Sequence, residues 1–247
     1  MRIYMKKCIL KVSNLSKEYK GKKVVDNISL NISEGSVYGF IGPNGAGKST
    51  TIRMLLGLIK NSGGSVTIFD ENINKNRTKI LQNIGALVES PSYYDHLSAY
   101  NNLKIWATIR MVGKDRIDHV LKIVNLYDDK DKKVSKFSLG MKQRLGIAQA
   151  LIGDPKLLIL DEPTNGLDPM GIREIRNLIT SLAKDYNKTI LVSSHLLSEM
   201  ELIINDVGII NKGKLLYEGS LDQLKSKYSS CENLEAIFFN LIERSTL

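Results

Sequence analysis

Apolar and polar side chains alternate from residue 3 to residue 40, with apolar positions at Ile9, Leu10 and Val12, at Val24 and Val25, and at Ile28, Leu30, Ile32 and Val37. A period of two gives a strand one buried face, so the stretch predicts antiparallel strands broken at Gly21 and Gly35. Residues 37–41 (VYGFI) form an apolar run and predict a buried strand, followed by an amphipathic helix over residues 50–59. Another strand is predicted at residues 65–70 (SVTIFD), after the Gly63-Gly64 turn.

From Ser98 the period changes to that of a helix. Ser98 can cap a helix running to Met111, Gly113 interrupts it, and a second helix is predicted over residues 115–126. A polar segment leads to a third, with Met141, Leu145, Ala148 and Ile152 on its apolar face and Pro155 at its end. Residues 157–160 (LLIL) and 189–193 then read as strands covered on both faces, separated by a helix marked by Ile175, Ile179 and Leu182. Strand and helix in alternation imply a parallel sheet. After His195 come a helix, strands at 207–210 and 215–217 around an NKGK turn, and a helical tail from Leu221 with Leu234, Ile237, Phe238 and Leu241 at helical spacing. The expected fold class is α/β, with an antiparallel β part at the front and a helical part over residues 97–152.

Composition narrows the partners. The chain has 247 residues, 43% of them hydrophobic, which supports a substantial core. No apolar run approaches the ~20 residues of a membrane-spanning helix, and Lys11 interrupts the amino-terminal one, so no secretory signal is read and a cytoplasmic location is expected. Cys8 and Cys231 lie near opposite ends without metal-type spacing, so two reduced thiols are expected. A net charge of +9 raises nucleic acid or an anionic surface as partner. Dispersed lysines and an aromatic content of 6% argue against nucleic acid, leaving solvated faces and proximity to a membrane.

The residues Gly42, Pro43, Asn44, Gly45, Ala46, Gly47, Lys48 and Ser49, followed by Thr50, fit the pattern G-x-x-x-x-G-K-[ST] between a predicted strand and a predicted helix. Glycines let consecutive backbone N–H groups point at phosphate oxygens, and the helix adds the positive end of its dipole. Lys48 supplies a cation to the β- and γ-phosphates of a nucleoside triphosphate, and the Ser49 hydroxyl is placed to ligate Mg²⁺. Asp161 and Glu162 end a buried strand, where two carboxylates can divide the work: Asp161 on the metal, Glu162 polarising the attacking water.

Two further segments carry a resemblance. FSLGMKQR (137–144) resembles the signature sequence of ATP-binding-cassette (ABC) ATPases, and VSSHLLSEME (192–201) resembles their switch-histidine region. With the phosphate loop and the Asp-Glu pair, the resemblance spans residues 9–220 and implies a P-loop ATPase domain of the ABC type over 1–220, with a tail over 221–247. It implies that Tyr19 stacks on adenine, that Ser138 and Gly140 reach the nucleotide of a second cassette, that His195 holds the γ-phosphate and water with Glu162, and that Asp168 couples the two sites. A head-to-tail dimer of cassettes and separately encoded integral-membrane permease subunits are the implied partners, at the cytoplasmic face of the cell membrane. Soluble cassettes acting on ribosomes or DNA carry second cassettes, coiled coils or zinc modules that this chain lacks. Glu162 and His195 together argue against a P-loop kinase and against a cassette that binds ATP without hydrolysing it.

Two segments depart from the family pattern. In the signature, Leu139 replaces a glycine and Met141 a glutamine. In ALVESPSYYD, Glu89 stands where the family has a glutamine that senses Mg²⁺, water and the membrane partner. Glu89 can ligate the metal, repel a metal-free γ-phosphate, or face solvent as an ordinary loop residue. This glutamate, with the SLGM signature, resembles the cassettes of lantibiotic-immunity and bacitracin-resistance exporters, which implies export of a peptide antibiotic. The docking surface for a permease is expected at residues 89–95 and around Trp106, although a tryptophan on a helical face is more often a core residue than a permease contact.

Overall fold

The computed structural model describes residues 7–89 and 92–246. Residues 3–6 of the predicted first strand, and Ser90 and Pro91 of the expected docking segment, lie outside the described residues.

The alternating stretch folds as β1 (Cys8–Tyr19) and β2 (Lys22–Ser33), an antiparallel hairpin closed at Gly21, whose φ of 81° is one that glycine adopts without strain. The apolar run is β3 (Val37–Ile41), buried at every position and joined by the glycine loop to helix α1 (Lys48–Leu55). Then come β4 (Gly63–Ile68), β5 (Glu71–Asn72), α2 (Ile73–Gln82) and β6 (Ile84–Leu87). The helical insertion comprises α3 (Ala99–Ile109), α4 (Lys114–Ile123), a 3₁₀ turn at Val134–Lys136 and α5 (Leu139–Leu151). Ser98 caps α3 by accepting from the Asn101 N–H at 3.2 Å, and Ser138 caps α5 by accepting from the Met141 N–H at 3.2 Å.

The remainder alternates as the pattern predicts: β7 (Leu157–Asp161), α6 (Pro169–Lys184), β8 (Thr189–Ser194), α7 (Leu197–Glu201), β9 (Asp206–Asn211) and β10 (Lys214–Ser220), then α8 (Leu221–Lys227) and α9 (Leu234–Thr246). Among the described residues the strands form a four-stranded antiparallel sheet, β2-β1-β4-β5, and a six-stranded one, β10-β9-β3-β8-β7-β6. In the second sheet only the edge strand β10 runs antiparallel to its neighbour.

Alternate side chains of the larger sheet enter two cores. Val37, Leu158, Leu160 and Val192 pack with Leu103, Val120, Leu145 and Ile179 of the helices. Tyr38, Phe40, Ile159 and Leu191 pack with Ile52 of α1 and with Leu10 and Ile28 of the antiparallel sheet. Each fully buried side chain of this size contributes about 1.5–3 kcal/mol. The parallel sheet is therefore a covered middle layer, and its strand ends are the places left for chemistry. The connections that leave the carboxyl ends of the neighbouring strands β3, β8, β7 and β6 are the glycine loop, the His195 segment, the Asp161-Glu162 pair and the Glu89 segment. Parallel α/β sheets bind their ligands at that edge.

Boundaries move where a residue enters the left-handed region. Helix α1 stops at Leu55, short of residue 59, ahead of Gly57 at φ 63°. Helix α4 stops at Ile123, short of residue 126, ahead of Asn125 at φ 53°. The pattern gave no sign of α2, which buries only Ile73 and Ile80, or of β6, four residues including a glycine. The core reading of Trp106 is corrected: it is 38% exposed, because the inward face of α3 is made by Ala99, Asn102, Leu103 and Ala107. In the tail, Leu234, Ile237, Phe238 and Leu241 are all buried in the helical core. Both cysteines are free thiols. No helix among the described residues is long and apolar enough to cross a membrane.

Candidate active site

The glycine loop owes its shape to two tight fits. A Cβ on Gly42 would lie 2.3 Å from the Ile210 carbonyl oxygen on β9, and Gly47, at φ 109°, would bring one to 2.9 Å from the Val24 carbonyl. Backbone bonds close the loop against its surroundings, from the Gly213 N–H to the Ala46 carbonyl at 2.9 Å and from the Asp26 N–H to the Gly213 carbonyl at 2.8 Å. Lys48, at the start of α1, is buried, and its ammonium donates to the carbonyls of Gly42 at 2.7 Å and Pro43 at 3.2 Å. The same nitrogen lies 3.1 Å from Glu162 Oε1.

Glu162 turns out of β7 at φ 49°, which aims its carboxylate back across the loop. Its second oxygen, Oε2, lies 2.7 Å from His195 Nδ1. Ser193 ties the two strand ends together: its hydroxyl donates to Asp161 Oδ1 at 2.5 Å and accepts from the Glu162 N–H at 3.0 Å. Asp161 is only 5% exposed, so that hydroxyl replaces water that the carboxylate has lost.

Two adjoining cavities result. One, of about 220 Å³, is lined by Val24, Asn44, Gly45, Gly47, Lys48, Ser49, Thr50 and Glu162. The other, of about 380 Å³, is lined by Ser49, Glu89, Leu139, Lys142, Gln143, Asp161, Glu162 and Asn165. Ser49 and Glu162 border both. The fold thus gathers the residues from Gly42 to Thr50 with Glu89, Asp161, Glu162 and His195.

The other expected site residues lie elsewhere. Tyr19 ends β1, 48% exposed, with Lys17 Nζ 4.7 Å from its ring centroid, and it lines neither cavity. Ser138, Gly140 and Asp168 line a separate recess of about 510 Å³ with Met170 and Gly171. Asp168 caps α6 by accepting from the Gly171 N–H at 3.0 Å. Leu139 is 53% exposed and borders both this recess and the Glu89 cavity. Tyr93 joins the Glu89 segment to α5: its hydroxyl donates to the Lys142 carbonyl at 2.7 Å, and burial pushes its pKa up.

Sequence reasoning missed Val24, which lines the smaller cavity, Arg53, whose guanidinium pairs with Glu89, and Ser193. For Ser193 a signal existed, since two serines directly follow the apolar run Ile190, Leu191 and Val192 and precede His195. Val24 reads as one more strand residue and carries no such mark.

A phosphate loop facing a buried aspartate, a glutamate and a histidine at the ends of parallel strands defines a P-loop ATPase of the ATP-binding-cassette class. The chain belongs to the ABC transporter family, whose model matches residues 25–165. It is 56% identical over 220 residues to the bacitracin transport ATP-binding protein BcrA of Bacillus licheniformis, covering 89% of this chain and 72% of that one. It is 46% identical over 234 residues to the lantibiotic transport ATP-binding protein SrtF of Streptococcus pyogenes, covering 95% and 97%. Among solved structures it is similar, at 27% identity and a TM-score of 0.77 over 86% of this chain and 99% of the other, to an ATP-binding cassette captured as a dimer in a post-hydrolysis state with ADP and Pi. The chain is an ATP-binding cassette and an ATPase.

Proposed function

We propose that this cassette energises export of a peptide antibiotic or a similar amphiphile through separately encoded permease subunits, working as a pair of cassettes at the cytoplasmic face of the membrane. The observation that carries the chemistry is one carboxylate, Glu162, held between Lys48 and His195. Incoming ATP draws Lys48 from Glu162 and the loop carbonyls onto its β- and γ-phosphates. Glu162, released on that side and still oriented by His195 Nδ1, accepts a hydrogen bond from the attacking water. His195 keeps its other ring nitrogen for the γ-phosphate.

The donor set suits Mg²⁺, which takes oxygen ligands and binds through one or two carboxylates together with substrate phosphates. Ser49 and Asp161 meet that need, and among the described residues no group of three or more His, Cys, Asp and Glu forms a metal cage of its own. When bound, the ion neutralises charge that develops on the phosphate oxygens. Ser138 and Gly140, at the amino end of α5, line a recess other than this chain's own cavity, which suits completion of the site of a second copy. Asp168 lies in the same recess and links it to α6. Tyr19 takes the base end in this reading, with Val24 at the sugar side of the loop. The cassette comprises residues 1–220 with its helical part at 97–152, and 221–247 is the tail.

A permease has a surface to meet: Leu58, Leu81, Trp106 and Arg110 line an apolar groove beside β6. The substrate class rests on the similarity to the bacitracin and lantibiotic transport proteins. The test is deletion of this chain in its host, with inhibitory concentrations measured for bacitracin, a panel of lantibiotics and unrelated drugs. Sensitivity confined to peptide antibiotics, restored by the wild-type chain and not by Glu162→Gln, is the expected result. Unchanged sensitivity to all of them would overturn the substrate class, and recovery of ribosomes or DNA, not polytopic proteins, on a tagged chain would overturn the transporter reading.

A further inference from the structure

Glu89 is held in an unusual way. It follows β6 at φ 64°, a region a glutamate enters at a cost, and its carboxylate pairs with Arg53 in the last turn of α1. Helix α1 begins at Lys48, so a single helix carries both the lysine of the phosphate loop and the cation that holds Glu89.

Three carboxylates border the cavity next to Ser49: Glu89, Asp161 and Glu162. Asp161 is held by the Ser193 hydroxyl, and Glu162 by His195 and Lys48. Lys142, the one cation among the residues lining that cavity, lies 3.6 Å from Asp95. That leaves Arg53 as the partner of Glu89 among the described residues. A triphosphate is itself a polyanion, and a third carboxylate free to swing into the cavity would compete with it for Lys48 and Ser49.

We propose that Arg53 is a positioning residue for nucleotide binding, one that pins the Glu89 carboxylate at the cavity rim and takes up its charge. The inference deepens the reading of this cavity as the ATP site and rests on it. It accounts for how the site tolerates an anion where the family has a neutral amide: the anion comes with its own counter-ion, mounted on the helix that binds phosphate. It also makes a prediction that simple attraction between Arg53 and ATP does not. Attraction would persist when Glu89 is neutral, whereas pinning has no object without the carboxylate.

The experiment is a titration of the purified full chain with a fluorescent N-methylanthraniloyl ATP in EDTA at low salt. Wild type, Arg53→Gln, Glu89→Gln, the double variant and Arg53→Lys are compared, with melting temperatures to confirm that each is folded. Arg53→Gln is expected to weaken binding about two- to fivefold, the range of an exposed ion pair, and to do so less as salt rises. In the Glu89→Gln background the same substitution is expected to have no effect, and Arg53→Lys is expected to retain most of the affinity. An equal loss in both backgrounds would overturn the inference, because Arg53 would then act on the nucleotide itself. No loss in either background would overturn it as well. Lys48→Ala separates the two levels: if wild type shows no binding that this variant abolishes, the nucleotide reading of the cavity fails, and this inference with it.

Discussion

Oε2 of Glu162 lies 2.7 Å from Nδ1 of His195, while Oε1 of the same carboxylate lies 3.1 Å from the Lys48 ammonium. One side chain therefore connects the phosphate loop after β3 with the loop after β8, and its position depends on the φ of 49° at which it leaves β7. Glu162→Gln keeps the size and removes the base. Turnover is expected to fall about 10²–10⁴-fold, the contribution typical of a positioned general base. ATP binding should persist or tighten, because Lys48 no longer has to leave an anion. Steady-state ATPase assays beside nucleotide titration check both halves, and undiminished turnover would remove Glu162 from the role assigned to it.

Ser193 is predicted to matter for both fold and catalysis. Its hydroxyl is fully buried, donates to Asp161 Oδ1 at 2.5 Å and accepts from the Glu162 N–H at 3.0 Å. Ser193→Ala leaves a buried carboxylate oxygen without its donor, at a cost of about 1–3 kcal/mol. In a chain of this size each kcal/mol corresponds to roughly 2–4 °C in melting temperature. A fall of several degrees with a lower kcat is expected. Unchanged melting and turnover would mean that water takes over the hydroxyl's place.

Much of this was legible from the chain because sheet burial leaves a plain mark. The strand β3 reads as an apolar run since its side chains meet a core on each face, and the phosphate loop follows it directly. Helices with serine caps, such as α3 and α5, could be placed at their first residue. What escaped was short or polar: β6 borrows its stability from pairing with β7, and α2 presents only two buried residues. Within the site, the ion pair of Arg53 with Glu89 joins residues 36 apart in the chain, and no local pattern announces such a contact. Trp106 misleads for a related reason, since being apolar on a helix says nothing about which face carries it.

Two glycines of the loop should respond differently to alanine. On Gly42 a Cβ would lie 2.3 Å from the Ile210 carbonyl and 2.9 Å from its Cγ2, and β9 is held in place by parallel pairing with β3. Gly42→Ala must therefore shift backbone, at about 1–3 kcal/mol as for overpacking elsewhere, and spoil the cradle for phosphate. On Gly45 a Cβ meets nothing within 4 Å, so Gly45→Ala carries only the strain of φ 77°, about 1–2 kcal/mol. Nucleotide affinity should thus drop far more for Gly42→Ala than for Gly45→Ala. Titration of the two variants side by side decides it, and the reverse order would show that the contact with Ile210 is not what shapes the loop.

The tail is fastened to the switch segment by a carboxylate, and acid should loosen it. Glu201, at the end of α7, lies 2.7 Å from Lys225 Nζ on α8 through Oε1 and accepts from the Leu234 N–H at the start of α9 at 3.0 Å through Oε2. Burial pushes its pKa up, but the hydrogen bonds from Lys225 and the Leu234 N–H, with the charge of Lys225, together outweigh burial and leave it below the ordinary glutamate value. A carboxylate whose pKa is lower folded than unfolded adds stability that is fully present above the unfolded value and is lost as pH falls through the folded one. The window therefore opens just below the unfolded glutamate value of about 4.3 and extends downward. Glu201→Gln should melt at a lower temperature than wild type at neutral pH, with the gap closing as the buffer is taken from about pH 5 towards pH 3. Because α7 begins two residues after His195, loosening this tie should also raise protease cleavage ahead of Leu234 before the ATPase core unfolds. Melting curves that stay parallel across that range would show that Glu201 does not fasten the tail through its charge.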